Sequence, residues 1–160
     1  MPIAPGDRLP DATLMKATAD GPAPVTTAEL FGGRTVVLFS VPGAFTPTCS
    51  ARHLPGFVEK AAEFGGKGVD EVACLAVNDA FVMGAWGRSA GAEGKVTMLA
   101  DGNGEFTTAL GLDMDASKYG MGKRGQRFAM VVKDGTVDKL FVEEPGAFHV
   151  SSAEHVLSQI

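Results

Sequence analysis

Two uninterrupted apolar runs constrain the fold of this chain more than any other feature. Residues 35–41 read Thr-Val-Val-Leu-Phe-Ser-Val, and residues 71–77 read Glu-Val-Ala-Cys-Leu-Ala-Val. A strand that is covered on one face alternates between apolar and polar side chains, and neither run alternates. Both runs therefore predict central strands of a sheet that has helices on both faces.

Shorter apolar segments predict further strands at residues 95–99, 126–132 and 137–142. Asp134 and Gly135 join the last two, and an Asp-Gly dipeptide between apolar runs is a strong hairpin signal. A smaller hairpin is predicted for residues 12–26, before the first long run.

Helical spacing predicts four helices, at about residues 50–64, 79–86, 104–112 and 151–160. Asn78 or Asp79 can cap the second of these. The segment Ser151-Ser152-Ala153-Glu154 is typical of a capping box for the last. Pro55 lies inside the first helix and predicts a kink or a late start.

The order of these elements predicts the fold class. An N-terminal β-hairpin is followed by β-α-β-α-β-α, an antiparallel hairpin and a final helix, which is typical of an α/β fold with a mixed central sheet flanked by helices. The chain of 160 residues is long enough to bury a core, and we expect residues 1–160 to form a single domain. Ligands bind such sheets beyond the carboxyl ends of the strands, so chemistry is expected in the loop after Val41.

Charge and composition exclude several functions. The net charge of -5 argues against a nucleic-acid partner, which requires a concentrated basic face. No apolar run approaches the roughly 20 residues that cross a bilayer. Residues 1–7 lack the basic and apolar regions of a secretory signal, and two Cys are too few for a secreted disulfide framework. We expect a cytoplasmic protein that binds neither membranes nor nucleic acid.

The loop after the first long run contains a candidate nucleophile. Residues 41–50 read Val-Pro-Gly-Ala-Phe-Thr-Pro-Thr-Cys-Ser, which places Cys49 where the next helix should begin. Unpaired N–H groups and the positive end of a helix dipole favour a thiolate at such a position. Its neighbours are not those of a core strand, so we predict a reactive thiol. Cys74 lies within the second apolar run and is predicted to be buried and inert.

This loop resembles the peroxidatic loop of the peroxiredoxins, which has the form P-x-x-x-T-x-x-C. Its segment Ala-Phe-Thr-Pro-Thr-Cys is similar to that of the type II, peroxiredoxin-5-like subfamily. The resemblance continues in order at residues 77–83, 99–106, 127–132 and 146–153. It extends over nearly the whole chain, from about residue 3 to residue 160, and is closest to plant-type and bacterial members.

The resemblance implies a thioredoxin-like fold and a thiol peroxidase that reduces hydrogen peroxide and alkyl hydroperoxides. Cys49 would be the peroxidatic cysteine, oxidised first to a sulfenic acid. Thr46 would hydrogen-bond the thiolate and the peroxide, and Pro42 would shield the sulfur. Arg127, on a later strand, would place its guanidinium beside the thiolate and stabilise the charge that develops on the leaving oxygen.

The residues alone also allow simpler interpretations. Arg127 is then a surface arginine at a strand end, and Thr46 makes only a local hydrogen bond within its loop. His53 is interpreted as a surface residue of the first helical turn, although its spacing from Cys49 also fits a Cys–His pair. With only three His in the chain, we expect no metal site, and we predict no cofactor.

The second thiol bears on how a sulfenic acid is recycled. Residues 148–152 lack the resolving cysteine of the mammalian-like members. We therefore expect an external thiol as reductant, either glutathione with glutaredoxin or thioredoxin. A role for Cys74 stays open, because plant-type relatives have both cysteines at this spacing. The resemblance also implies a homodimer, with Phe45 and residues 78–83 as candidates for its seam.

A reactive Cys49 also fits two functions other than a peroxidase. A dithiol oxidoreductase needs a Cys-x-x-Cys motif, and Thr46 stands where the other cysteine of such a motif would be. A redox sensor without enzymatic turnover needs the same reactive Cys49. The sequence therefore leaves a redox sensor as the alternative to a peroxidase.

Overall fold

The computed structural model describes residues 2–160 and has a mixed sheet with helices on both faces. Its strands are β1 (Thr13–Thr18), β2 (Gly21–Thr26), β3 (Thr35–Ser40), β4 (Glu71–Ala76), β5 (Thr97–Ala100), β6 (Asp113–Asp115), β7 (Lys123–Gly125), β8 (Phe128–Lys133) and β9 (Thr136–Val142). Its α-helices are α1 (Thr27–Phe31), α2 (Leu54–Gly66), α3 (Ala80–Ser89), α4 (Glu105–Ala109) and α5 (Ala153–Ser158). A π-helical turn over Cys49–His53 leads into α2, and a 3-10 turn spans Ser117–Tyr119.

Seven strands form the main sheet, in the order β2-β1-β5-β4-β3-β8-β9. β3, β4 and β5 are parallel, while β1 and β8 pair antiparallel to β5 and β3. The predicted hairpins are confirmed as the β1–β2 and β8–β9 pairs at the two ends of the sheet. β6 and β7 form a separate two-stranded sheet.

Both faces of the central strands β3 and β4 are buried, as their uninterrupted apolar runs predict. Side chains of β3 alternate between two apolar clusters: Val37 and Phe39 face α2, α3 and α5, whereas Val36 and Leu38 face α1 and α4. Phe39 stacks on Phe57 of α2 with ring centroids 4.0 Å apart. Burying a side chain of this size contributes about 1.5–3 kcal/mol, so these contacts fix α2 against β3. The predicted α/β fold class, with a mixed central sheet flanked by helices, is confirmed.

Several boundaries differ from the sequence-based expectations. α1 is additional, and it begins with a capping box in which Thr26 and Glu29 bond each other's backbone N–H. β6 and β7 are also additional, and Arg127 lies just before β8 rather than within it. At α5 the N-cap is Ser152, whose side chain accepts from the His155 N–H, so the predicted capping box with Ser151 as its first residue is wrong. Among residues 2–160, the helices are all too short or too polar to cross a membrane.

Pro55 accounts for the turn that precedes α2. Proline has no N–H to donate to the carbonyl four residues earlier, which belongs to Ala51, and its ring crowds that carbonyl. Within the wider π turn, the Leu54 N–H donates to the Cys49 carbonyl instead. The α-helix starts at Leu54 with Pro55 in its first turn, which confirms the predicted late start.

Candidate active site

The loop that contains Cys49 is held at the carboxyl end of β3 by bonds to neighbouring segments. The Val41 N–H donates to the Leu75 carbonyl in β4 (3.1 Å), and the Ala44 N–H donates to Asn78 Oδ1 (3.0 Å). Phe45 has a left-handed backbone, with φ of 64°, which reverses the chain before the helical turn. The loop thus returns Cys49 to the sheet edge, where its side chain is fully buried.

Sheet pairing brings Arg127 to this edge. Phe128, the first residue of β8, pairs with Ser40, the last residue of β3. Arg127 therefore lies beside the start of the loop, although 78 residues separate it from Cys49. Its Nη2 donates to Cys49 Sγ across 3.1 Å. A positive guanidinium thus directly contacts the thiol of Cys49.

His53 is buried, which corrects the expectation of a surface histidine. Its side chain is fully enclosed between the rings of Phe39 and Phe148, with centroids 4.9 and 5.1 Å away. Nδ1 lies 2.8 Å from Arg127 Nη1, and Nε2 lies 2.9 Å from the Ser151 carbonyl oxygen. Burial, reinforced by the charge of Arg127, lowers the pKa of His53 to about 3, so the ring is neutral near pH 7.

The segment after β9 folds over the same site. Burial would raise the pKa of Glu143, but it is held below its ordinary value because the carboxylate accepts bonds from Ser151 and from the His149 N–H. The Glu143 N–H in turn donates to the Arg127 carbonyl (3.0 Å). The ring of Phe148 lies beneath the guanidinium of Arg52 at 4.7 Å. Residues 143–151 therefore pack directly against Arg127 and His53.

A second arginine supports the loop and was missed by the sequence analysis. Arg124 of β7 donates from Nη1 to the Pro42 carbonyl (3.3 Å) and from Nε to the Met121 carbonyl (2.9 Å). A Cβ at Gly43 would lie only 2.9 Å from Arg124 Nη1 and 3.2 Å from Met121 Cε. Glycine at position 43 is thus what lets this arginine approach the loop. No local pattern around residue 124 indicated the contact.

Comparisons with known proteins agree with this geometry. The family model described as Redoxin matches residues 4–157. Peroxiredoxin-2E-2, chloroplastic, from Oryza sativa subsp. japonica is 56% identical over 99% of this chain and 72% of its own length. Peroxiredoxin-2B of Arabidopsis thaliana is 46% identical over 99% of both chains.

The chain belongs to the peroxiredoxin family. A crystal structure of reduced Prx3 in complex with hydrogen peroxide, from Vibrio vulnificus, superposes with a TM-score of 0.94 at 52% identity over 98% of both chains. The chain is therefore a thiol peroxidase, an oxidoreductase that reduces a peroxide with electrons from a thiol. The predicted resemblance and enzyme class are confirmed.

The other predicted site residues of this peroxiredoxin lie in the same loop. The Thr46 hydroxyl donates to the Gly43 carbonyl (2.7 Å), which is the local bond of the simpler interpretation. Its oxygen lone pairs stay available to accept a hydrogen bond. Pro42 lines a cavity of about 390 Å³ that also borders Arg127, Thr48 and Glu143. Arg127 thus contacts both this cavity and the Cys49 sulfur.

Cys74 is buried in β4, as predicted, where it pairs in register with Phe39. Burial, and to a lesser extent the neighbouring Cys49, raises the pKa of its thiol well above the ordinary value. Both cysteines are free and belong to one apolar cluster. In the part of the chain that is described, residues 2–160, no three His, Cys, Asp or Glu side chains gather into a metal-binding cluster.

Proposed function

We propose that Cys49 is the peroxidatic cysteine and that it reduces hydrogen peroxide and alkyl hydroperoxides. The contact between Arg127 Nη2 and the Cys49 sulfur, at 3.1 Å, carries this proposal. A fixed positive charge beside the sulfur stabilises a thiolate. Over the described residues, 2–160, Cys74 has no arginine bonded to its sulfur, and burial together with the neighbouring Cys49 raises the pKa of its thiol, which favours the thiol form.

The reaction is a displacement at oxygen. The thiolate sulfur of Cys49 attacks one peroxide oxygen, an S–O bond forms, and the O–O bond breaks. The second oxygen leaves with the bonding electrons, takes up a proton and departs as water or as an alcohol. Sulfur is oxidised to the sulfenic acid while the peroxide is reduced.

Each of the other proposed residues has a separate task. The Arg127 guanidinium is a preorganised donor for the charge that builds up on the peroxide oxygens. The Thr46 hydroxyl donates its only proton to the Gly43 carbonyl. Toward a peroxide it can therefore only accept, and it orients the peroxide O–H. Pro42, at the wall of the cavity beside Arg127, limits water around the sulfur.

An external thiol completes the proposed cycle. The incoming thiol displaces water from the sulfenic acid to give a mixed disulfide, and a second thiol releases Cys49 in the reduced form. Cys74 is enclosed in a central strand, which disfavours it as the resolving thiol. We propose glutathione with glutaredoxin as the reductant, and thioredoxin as the second candidate.

We also propose a cytoplasmic location for this protein. Its relatives include proteins that are named as chloroplastic.

We also propose that one domain, spanning the whole chain, forms a homodimer. Strands from near both ends of the chain share the seven-stranded sheet, which supports a single domain. Phe45, in the loop that contains Cys49, is 53% exposed, and Phe81, at the start of α3, is 74% exposed. Large exposed aromatic side chains are typical of interfaces. A Phe81→Asp variant that stays dimeric in sedimentation velocity would remove Phe81 from the proposed seam.

Peroxide consumption with two reductant systems tests the proposal. We expect turnover of hydrogen peroxide and of an alkyl hydroperoxide with glutathione and glutaredoxin, and none in the Cys49→Ser variant. Turnover with thioredoxin and its reductase alone would reassign the reductant. If the enzyme oxidises only once with either system, the redox sensor becomes the better account.

A further inference from the structure

His53 is a buried polar residue that is bonded to the arginine at the reacting sulfur, and the proposed mechanism gives it no task. Both ring nitrogens are bonded, Nδ1 to Arg127 Nη1 at 2.8 Å and Nε2 to the Ser151 carbonyl at 2.9 Å. A purely apolar packing role would not need either bond. Through these two bonds, His53 connects the Arg127 guanidinium to the segment that follows β9.

The partners of His53 determine where its proton lies. A carbonyl oxygen only accepts hydrogen bonds, so Nε2 carries the proton and donates to Ser151. Arginine only donates, so Nδ1 must present its lone pair to Arg127 Nη1. The neutral ring satisfies both partners, whereas a proton on Nδ1 would point at a cation. The charge of Glu143 also reaches the ring, but the Glu143 carboxylate accepts hydrogen bonds from Ser151 and from the His149 N–H.

The bond between His53 Nδ1 and Arg127 Nη1 sets the direction of the Arg127 guanidinium. The guanidinium is planar and its five N–H groups have a fixed geometry, so anchoring Nη1 also fixes where Nη2 points. Nη2 points at Cys49 Sγ, 3.1 Å away. Within residues 2–160, these are the two side-chain hydrogen bonds made by Arg127. The ring of Phe148, 5.9 Å from the guanidinium carbon, restricts it from one side.

We propose that His53 is a positioning residue for the peroxidase reaction: its Nδ1 accepts from Arg127 and thereby holds the other arm of the guanidinium on the sulfur of Cys49. The inference rests on the proposed roles of Cys49 and Arg127. The Ser151 carbonyl fixes the required tautomer, and Glu143 holds Ser151 through its N–H and hydroxyl, 2.9 and 2.7 Å from the carboxylate. The segment after β9 therefore takes part in aligning the site.

Two substitutions separate the bond to Arg127 from the packing of the ring. In Asn, Oδ1 is as many bonds from Cβ as Nδ1 is in His, so His53→Asn keeps an acceptor that faces Arg127. In Gln, the terminal group matches Nε2, so His53→Gln keeps a partner for Ser151 and removes the acceptor for Arg127. Asn is also the smaller residue and leaves the larger void. Packing alone therefore predicts that Asn is the more damaging change.

The measurement is the rate at which one equivalent of hydrogen peroxide oxidises the reduced protein in stopped flow. Misplacing a catalytic group by about 1 Å costs about 10²-fold, and we expect a loss near that size in His53→Gln. We expect His53→Asn to be at least several-fold faster than His53→Gln. His149→Gln is the matched control and should equal the wild type, because it changes only an exposed side chain and keeps the backbone N–H that donates to Glu143.

The outcomes distinguish this inference from the proposed function. If His53→Gln reacts as fast as the wild type, or faster than His53→Asn, while Arg127→Gln is slow, the positioning role is wrong and the arginine keeps its task. If Arg127→Gln is itself as fast as the wild type, the proposed site fails and the inference fails with it. Urea unfolding of each variant, at the pH of the assay, verifies that the compared proteins are folded.

Discussion

Lowering the pH should destabilise the folded enzyme through His53. The effect begins well above the pH at which the ring is protonated in the folded state, because the unfolded chain binds this proton first. The folded protein holds the pKa of His53 at about 3, against an ordinary value of 6.5, because the ring is buried beside the charge of Arg127. Between these two values the unfolded chain binds a proton that the folded chain does not. Stability is therefore complete above pH 6.5 and falls as the pH is lowered toward 3.

The size of the effect follows from the pKa difference. Each unit corresponds to about 1.4 kcal/mol, so the full range is worth roughly 5 kcal/mol and the part above pH 4 roughly 3 kcal/mol. Domains are typically stable by about 5–15 kcal/mol, so this one ring can remove a large fraction of the total. Glu143, whose pKa is lowered, also loses stabilising bonds on acidification, with the same sign.

Comparison with a variant that does not titrate at position 53 isolates the histidine. We would measure the free energy of unfolding in urea from pH 7 down to about pH 4 for the wild type, His53→Asn and His149→Gln. The wild type and His149→Gln should lose roughly 3 kcal/mol more than His53→Asn over this range. Equal losses in the wild type and His53→Asn would refute the reasoning, since they would show that His53 titrates alike in both states.

Three further predictions concern the loop and its arginines. Arg127→Gln should slow the oxidation of Cys49 by hydrogen peroxide by about 10²–10³-fold, because the variant lacks the preorganised donor for the charge that develops on the peroxide oxygens. A stopped-flow rate equal to that of the wild type would show that Arg127 has no part in the reaction. Gly43→Ala should displace Arg124 from the Pro42 carbonyl, because the added Cβ would lie 2.9 Å from Arg124 Nη1. We expect the free energy of unfolding in urea to fall by about 1 kcal/mol and the reaction with peroxide to slow. An unchanged urea midpoint and an unchanged rate would show that the loop does not need this contact. After one equivalent of peroxide without reductant, mass spectrometry should find one added oxygen on Cys49, and a quantitative disulfide between Cys49 and Cys74 would instead make Cys74 the resolving residue.

Local sequence patterns predicted those elements whose surroundings in the fold determine which residue types they contain. β3 and β4 could be predicted because a strand covered on both faces carries few polar side chains. The position of Cys49 at a helix start followed from the Pro-rich loop and the spacing of apolar residues after it. The late start of α2 followed from the chemistry of Pro55.

The remaining features depend on contacts between distant parts of the chain. Arg127 reaches Cys49 because Phe128 pairs with Ser40, and no local pattern specifies that register. His53 was misjudged because its partners, Arg127 and Ser151, lie 74 and 98 residues away. β6 and β7 have only three residues each, too few for an alternating pattern to be detected.

The central claim is that Cys49 alone among the two thiols carries the reaction with peroxide. The most direct measurement is the rate of the first oxidation step in stopped flow, with one equivalent of hydrogen peroxide and no reductant, for Cys49→Ser and Cys74→Ser. We predict that Cys49→Ser does not react on the time scale of the wild type and that Cys74→Ser reacts at close to the wild-type rate. A Cys49→Ser variant that still consumes peroxide rapidly, or a Cys74→Ser variant that is equally inactive, would contradict the account.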